Sequence, residues 1–111
     1  MKGIHLGEFE ELVILSVAIL DDNAYSISIY DELEKQTGRK LILSSVHKTL
    51  LRLEDKGYLV SKMGNPSSER GGRAKRLYRL TSAGFKAISI KREVRNNMWL
   101  QIPNINLLGY E

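Results

Sequence analysis

Cysteine is absent from these 111 residues. That excludes a disulfide framework, a thiolate nucleophile and a cysteine-based zinc site, and it is what a reducing cytosol would tolerate. Only two prolines and one tryptophan occur. The one extended apolar run, Leu12 to Leu20, spans nine residues, less than half of the about 20 needed to cross a bilayer. Glu8, Glu10 and Glu11 precede that run and Asp21 and Asp22 follow it, the opposite of the positive flank that a secretory signal carries. The expectation is a buried helix in a cytoplasmic protein without a membrane span. Two histidines, His5 and His47, stand far apart with no paired ligand motif, so no metal site is assigned. No serine sits in Gly-x-Ser-x-Gly and no glycine-rich loop ends in Lys-Ser or Lys-Thr, so neither an enzyme nor a cofactor is expected.

What is present is charge of uneven placement. Residues 1–34 hold one lysine against eight acids, whereas residues 35–76 hold eleven lysines and arginines against three acids. The net charge of +4 hides this contrast. A basic middle third is the candidate contact surface for a polyanion. Hydrophobic and charged fractions of 42% and 27% are ordinary for a globular chain, and the length suits one compact domain.

The hydrophobic period divides the chain into elements. Leu6 to Leu20 is apolar enough for a helix buried on most sides, and Asp21-Asp22-Asn23 ends it. A second helix is expected from about Ala24 to Thr37, with Gly38 after its end. Lys40 to Leu43 is too short for a helix and fits a small strand or an extended linker. Ser44 is the expected N-cap of a third helix running from Ser45 to Lys56 and closed by Gly57. In it Val46, Leu50 and Leu53 share one face, and Ser44, Ser45, Lys48, Arg52 and Asp55 share the other. The period then shortens to two. Tyr58 to Met63 and Arg76 to Leu80 read as strands joined by a tip rich in glycine and arginine. Thr81 or Ser82 should cap a last helix reaching about Leu100.

Helix, helix, helix, strand, basic loop, strand, helix is the order of a winged helix-turn-helix, an α+β fold that is mostly helical. It comprises a three-helix core, a two-stranded wing and a C-terminal helix. Helix 3 is then the recognition helix, with Ser44, Ser45, His47, Lys48 and Arg52 toward DNA. Arg70, Arg73, Lys75 and Arg76, set around Gly71 and Gly72, form a wing tip able to approach phosphates or a minor groove. A solvated polar face and a flexible loop are the plain alternatives for either part alone; their succession favours nucleic acid. Residues 1–81 would form the DNA-binding unit and 82–111 the dimerisation helix and tail. The last helix bears one apolar stripe at Ala87, Ile90, Val94 and Met98 and a second at Phe85, Ile88 and Trp99. A helix packed on one side has no need of two, so the second points to a partner subunit. Ile102, Ile105, Leu107, Leu108 and Tyr110 add apolar surface beyond it.

Three stretches carry a family resemblance: Leu6-Gly7-Glu8-Phe9-Glu10, the helix from Ser45 to Tyr58, and Glu69 to Thr81 together with Gly84. Over about residues 6 to 90 the chain resembles the PadR-type transcriptional regulators. The resemblance implies a homodimeric DNA-binding regulator, usually a repressor; a two-fold dimer with one recognition helix per subunit is then expected to act on a pseudo-palindromic operator. Dimerisation is expected through helix 1 and the last helix, involving Phe9, Leu12, Ile88, Val94, Met98 and Trp99. Some similar proteins bind flat aromatic effectors with a tryptophan of the last helix, which makes Trp99 a candidate ligand contact; packing in the dimer is its plainer role. Family members often carry Tyr, sometimes followed by Pro, where His47 and Lys48 stand, a departure that bears on base preference and not on fold. The rival reading is a winged-helix protein-interaction module without specific DNA binding.

Overall fold

A computed structural model of the chain describes residues 6–64 and 74–103. Arg70 and Arg73, and the apolar residues beyond Pro103, lie outside them. Four helices, α1 (Glu8–Leu20), α2 (Ser26–Thr37), α3 (Leu43–Asp55) and α4 (Ser82–Leu100), accompany two strands, β1 (Leu59–Met63) and β2 (Arg76–Leu80). The strands pair antiparallel in the register Leu59 to Leu80 through Met63 to Arg76. This is the expected three-helix core with a two-stranded wing.

Three element starts differ from the sequence reading, each because a backbone group found another partner. Helix α1 begins at Glu8, because the Glu10 carboxylate accepts the Gly7 N–H at 2.9 Å and so caps the first turn. Helix α2 begins at Ser26, where the Tyr25 N–H donates to Ser28 Oγ at 3.0 Å. Ala24 is extended and fully buried, and its carbonyl accepts the Tyr78 N–H at 2.8 Å, which ties the approach to α2 onto β2. Helix α3 begins at Leu43, and Ser44 is not its N-cap. Ile42 holds that position without a side-chain bond, its carbonyl accepting from Ser45 N at 2.9 Å.

The segment before α3 is the extended linker, not a strand. Helix α2 satisfies its backbone: Tyr30 Oη donates to the Leu41 carbonyl at 3.1 Å and the Leu41 N–H donates to the Glu34 carboxylate at 2.9 Å. Gly38, at φ 70°, takes the left-handed conformation that ends α2, and its N–H donates to the Glu34 carbonyl.

One core joins all four helices to the wing. Val13, Ile14 and Val17 of α1 meet Ile29 and Leu33 of α2, Val46, Leu50 and Leu53 of α3, Leu59 and Tyr78 of the sheet, and Ala87 and Ile88 of α4. Each apolar stripe of α4 touches the core at one residue, Ala87 in the first and Ile88 in the second, while Phe85 is 59% exposed. Ala87 is 1% exposed and Ile88 8%, whereas Val94, Met98 and Trp99 are 53%, 64% and 67% exposed. The outer half of this 19-residue helix is an arm. The radius of gyration is 17.2 Å, against about 13 Å for a compact chain of this length.

Candidate nucleic-acid interface

Packing of Val46, Thr49, Leu50 and Leu53 into the core fixes the roll of α3. Outward stand Ser44, Ser45, His47, Lys48 and Arg52, all exposed, with the exposed Leu51 and Asp55 beside them. Spacings of one, three and four residues place them on one surface, in the N-terminal and central turns that a recognition helix presents to base edges. Nothing among the described residues pairs with the Lys48 ammonium. His47 is held: its Nδ1 lies 3.2 Å from Ser26 Oγ in the first turn of α2.

Arg52 faces two ways, because Glu10 of α1 stands 3.9 Å from its Nη1. Glu10 is 8% exposed and is shared between the Gly7 N–H, Lys56 Nζ at 2.8 Å and Arg52. Burial raises its pKa, but the Lys56 bond, the Gly7 N–H and the charges of Lys56 and Arg52 outweigh that and hold the carboxyl below its usual value. A depressed carboxylate pKa contributes stability above the unfolded-state value, lost as pH falls through the folded one. Glu10→Gln can still accept from Gly7 but gives up the charge. We expect it to cost about 1–2 kcal/mol at pH 7 and to show less acid destabilisation below pH 4.5 than the native chain, followed by thermal melts across pH. Equal pH profiles would remove this account.

The wing base lies alongside. Lys75 Nζ sits 4.1 Å from the centroid of the Tyr25 ring, a cation–π contact that fixes a flexible cation near α2. Arg76 Nη1 donates to Ser61 Oγ at 3.1 Å, and that hydroxyl donates to the Glu54 carboxylate at 2.8 Å. Both cations remain exposed. The Ser26–His47 and Lys75–Tyr25 contacts thus bring the α3 face, the start of α2 and Lys75 of the wing base together, with hydroxyls, an imidazole and cations among them. Surfaces of this composition suit phosphates and base edges.

The sequence matches the transcriptional regulator PadR-like family over residues 14–90. The chain belongs to that family. Membership makes it a transcriptional regulator and not an enzyme. No curated protein matches it in sequence. Solved structures share its fold. The H. salinarum RosR is 22% identical with a TM-score of 0.70, covering 91% of this chain and 84% of its own. A transcriptional regulator from Clostridium thermocellum is also 22% identical, with a TM-score of 0.63 and coverages of 86% and 93%. A PadR-like transcriptional regulator from Bacillus cereus is 17% identical, with a TM-score of 0.62 and the same coverages.

In this PadR-like chain the residues expected to join two subunits divide between core and surface. Ile88 is buried, Phe9 and Leu12 are half-buried against the core, and Val94, Met98 and Trp99 are exposed on the arm. A groove of about 440 Å³ opens between α1 and α4, walled by Leu15, Ala18, Phe85, Ile88 and Trp99 with Glu11 and Arg95 at its edge. The guanidinium of Arg95 lies 3.7 Å from Glu11. No helix among the described residues is long and apolar enough to cross a membrane. Periodicity did not single out Glu10, Tyr25 or Ser26, whose partners are 21 to 50 positions away. For Tyr25 and Ser26 a signal existed: in a helix-turn-helix the residues opening the second helix lie beside the third.

Proposed function

We propose that the protein is a homodimeric, sequence-specific regulator that binds duplex DNA and represses transcription by occupying promoter sites. The observation that carries this reading is the outward face of α3. Ser44, Ser45, His47 and Lys48 stand exposed on a helix whose other side is locked into the core, next to the cationic wing. In a two-fold dimer the two copies of α3 would enter successive major grooves about 34 Å apart, matching a pseudo-palindromic operator. Residues 1–81 do the binding and 82–111 join the subunits. The exposed apolar arm and the groove beside α1 support the second part, since a lone chain gains nothing by leaving Val94, Met98 and Trp99 in water. A flat aromatic effector would enter the same groove and stack on Trp99.

The test is an anisotropy titration against DNA from upstream of the protein's own gene, with a scrambled duplex as competitor, at two salt concentrations. Competitor-resistant binding with two subunits per site is expected. Weak binding lost equally to both duplexes would favour the protein-interaction module. Within the same assay, replacing Arg73 and Arg76 together by alanine should reduce the salt slope by about 0.9 for each phosphate no longer neutralised, with base preference kept. An unchanged slope would take the wing out of the interface.

A further inference from the structure

Resting on that reading, we propose that Ser26 is the positioning residue for His47, fixing the imidazole so that its Nε2–H reads a hydrogen-bond acceptor on a base edge in the major groove. Ser26 opens α2 and His47 lies in the second turn of α3. The contact between Ser26 Oγ and His47 Nδ1, 3.2 Å, joins the two helices of the helix-turn-helix directly at the surface. Nε2 has no partner among the described residues, and the ring is exposed.

Which hydrogen goes where follows from position. Nδ1 faces the first turn of α2, where unpaired backbone N–H groups and the helix dipole place partial positive charge. A lone pair at Nδ1 is favoured there and a hydrogen disfavoured. The serine hydroxyl therefore donates to Nδ1, and the ring keeps its hydrogen on Nε2. Outward, the ring then offers a donor. In the major groove guanine presents two acceptors, N7 and O6, thymine presents O4 and adenine presents N7 beside its N6 donor, whereas cytosine presents only the N4 donor. A fixed Nε2–H thus favours guanine, with its two acceptors, over thymine and adenine, with one each, and rejects cytosine at one position of each half-site. Without the serine, the ring can exchange tautomers and turn about its side-chain bonds, and the selection is lost while the charge and shape of α3 stay the same.

Two measurements on the full chain test this. Histidine ring 15N NMR should show His47 with its hydrogen on Nε2 in the native protein, a tautomer mixture in Ser26→Ala, and recovery in Ser26→Thr, which restores the hydroxyl. Binding selection from a randomised duplex should show one base pair per half-site where Ser26→Ala and His47→Ala each lose about five- to tenfold of the preference, with other positions and the salt slope retained and Ser26→Thr restoring it. Alanine is a good helix former at this first-turn position, so the variant should fold. A hydrogen on Nδ1 in the native protein, or an unaltered base preference in Ser26→Ala, overturns the proposal. If the native chain shows no base preference anywhere, the DNA-regulator reading itself falls, and with it the role given to Nε2. The NMR result then still decides whether Ser26 sets the ring.

Discussion

Replacing Gly84 by alanine is expected to lower the melting temperature by about 10 °C, measured by circular dichroism or calorimetry, although alanine is the better helix former. Gly84 lies in the first turn of α4, is buried, and donates its N–H to Thr81 Oγ1 at 3.0 Å. An added methyl there would press into the carbonyl oxygen of Tyr58 and stand 2.7 Å from Leu80 Cδ1. The obstacle is backbone, and that carbonyl already accepts the Thr81 N–H at 3.2 Å, so it cannot swing away without breaking the joint between β1 and α4. Helix propensity alone would make alanine about 1 kcal/mol more stable than glycine. Overpacking of this kind costs about 1–3 kcal/mol or more, and the collision with a fixed carbonyl belongs at the upper end. A net loss near 2 kcal/mol corresponds to about 10 °C in a domain of this size. The sign is the test: a stabilised Gly84→Ala would mean that α4 can slide off the wing at little cost.

That joint shows what a linear pattern can and cannot convey. Val46, Leu50 and Leu53 announced the buried side of α3 because a 3.6-residue period maps directly onto one face, and all three are fully buried. Thr49, 4% exposed, belongs to the same face but is polar by type and did not register. The strands were legible because alternation changes abruptly after Gly57, and Thr81 caps α4 as its hydroxyl predicted. Ser44 misled for the converse reason. A serine before a helix promises a cap, yet the backbone of Ile42 already closes the first turn, so the hydroxyl is left outward. Ala24 directly follows the Asp21-Asp22-Asn23 turn, where the sequence places the start of α2, while a single bond to Tyr78 fixes it as extended. In each case a long-range partner or a backbone bond overrode a local preference.

The same limit applies to the interface. Periodicity names faces, not the faces they meet. The outward residues of α3 were therefore readable, whereas the contacts that orient two of them, Ser26 to His47 and Glu10 to Arg52, join residues more than twenty positions apart. Along α4 the difficulty was of another kind. Two apolar stripes were visible, but a stripe does not say where a helix leaves its core. The structure puts that point beyond Ile88, which leaves Val94, Met98 and Trp99 as surface, and Phe85 is exposed before it.

Introducing charge on that surface should have the largest functional effect. Val94→Glu with Met98→Glu is expected to leave the fold and melting temperature of the isolated chain nearly unchanged, because neither side chain belongs to the core. Both are more than half exposed, so in a monomer the substitutions cost little. In a dimer that covers the arm they would bury two carboxylates per subunit without partners, several kcal/mol against association. Light scattering should then report a single chain where the native protein gives two. Operator affinity should fall by a hundredfold or more, because the second half-site is no longer bound at the high effective concentration that linkage supplies. Contacts at each half-site would be intact, so the sequence preference of the weakened complex should persist. A double variant that stays dimeric, or a native chain that is monomeric at micromolar concentration, would move the subunit contact away from this arm. Persistence of full operator affinity in a monomeric variant would show instead that one copy of α3 and its wing suffice.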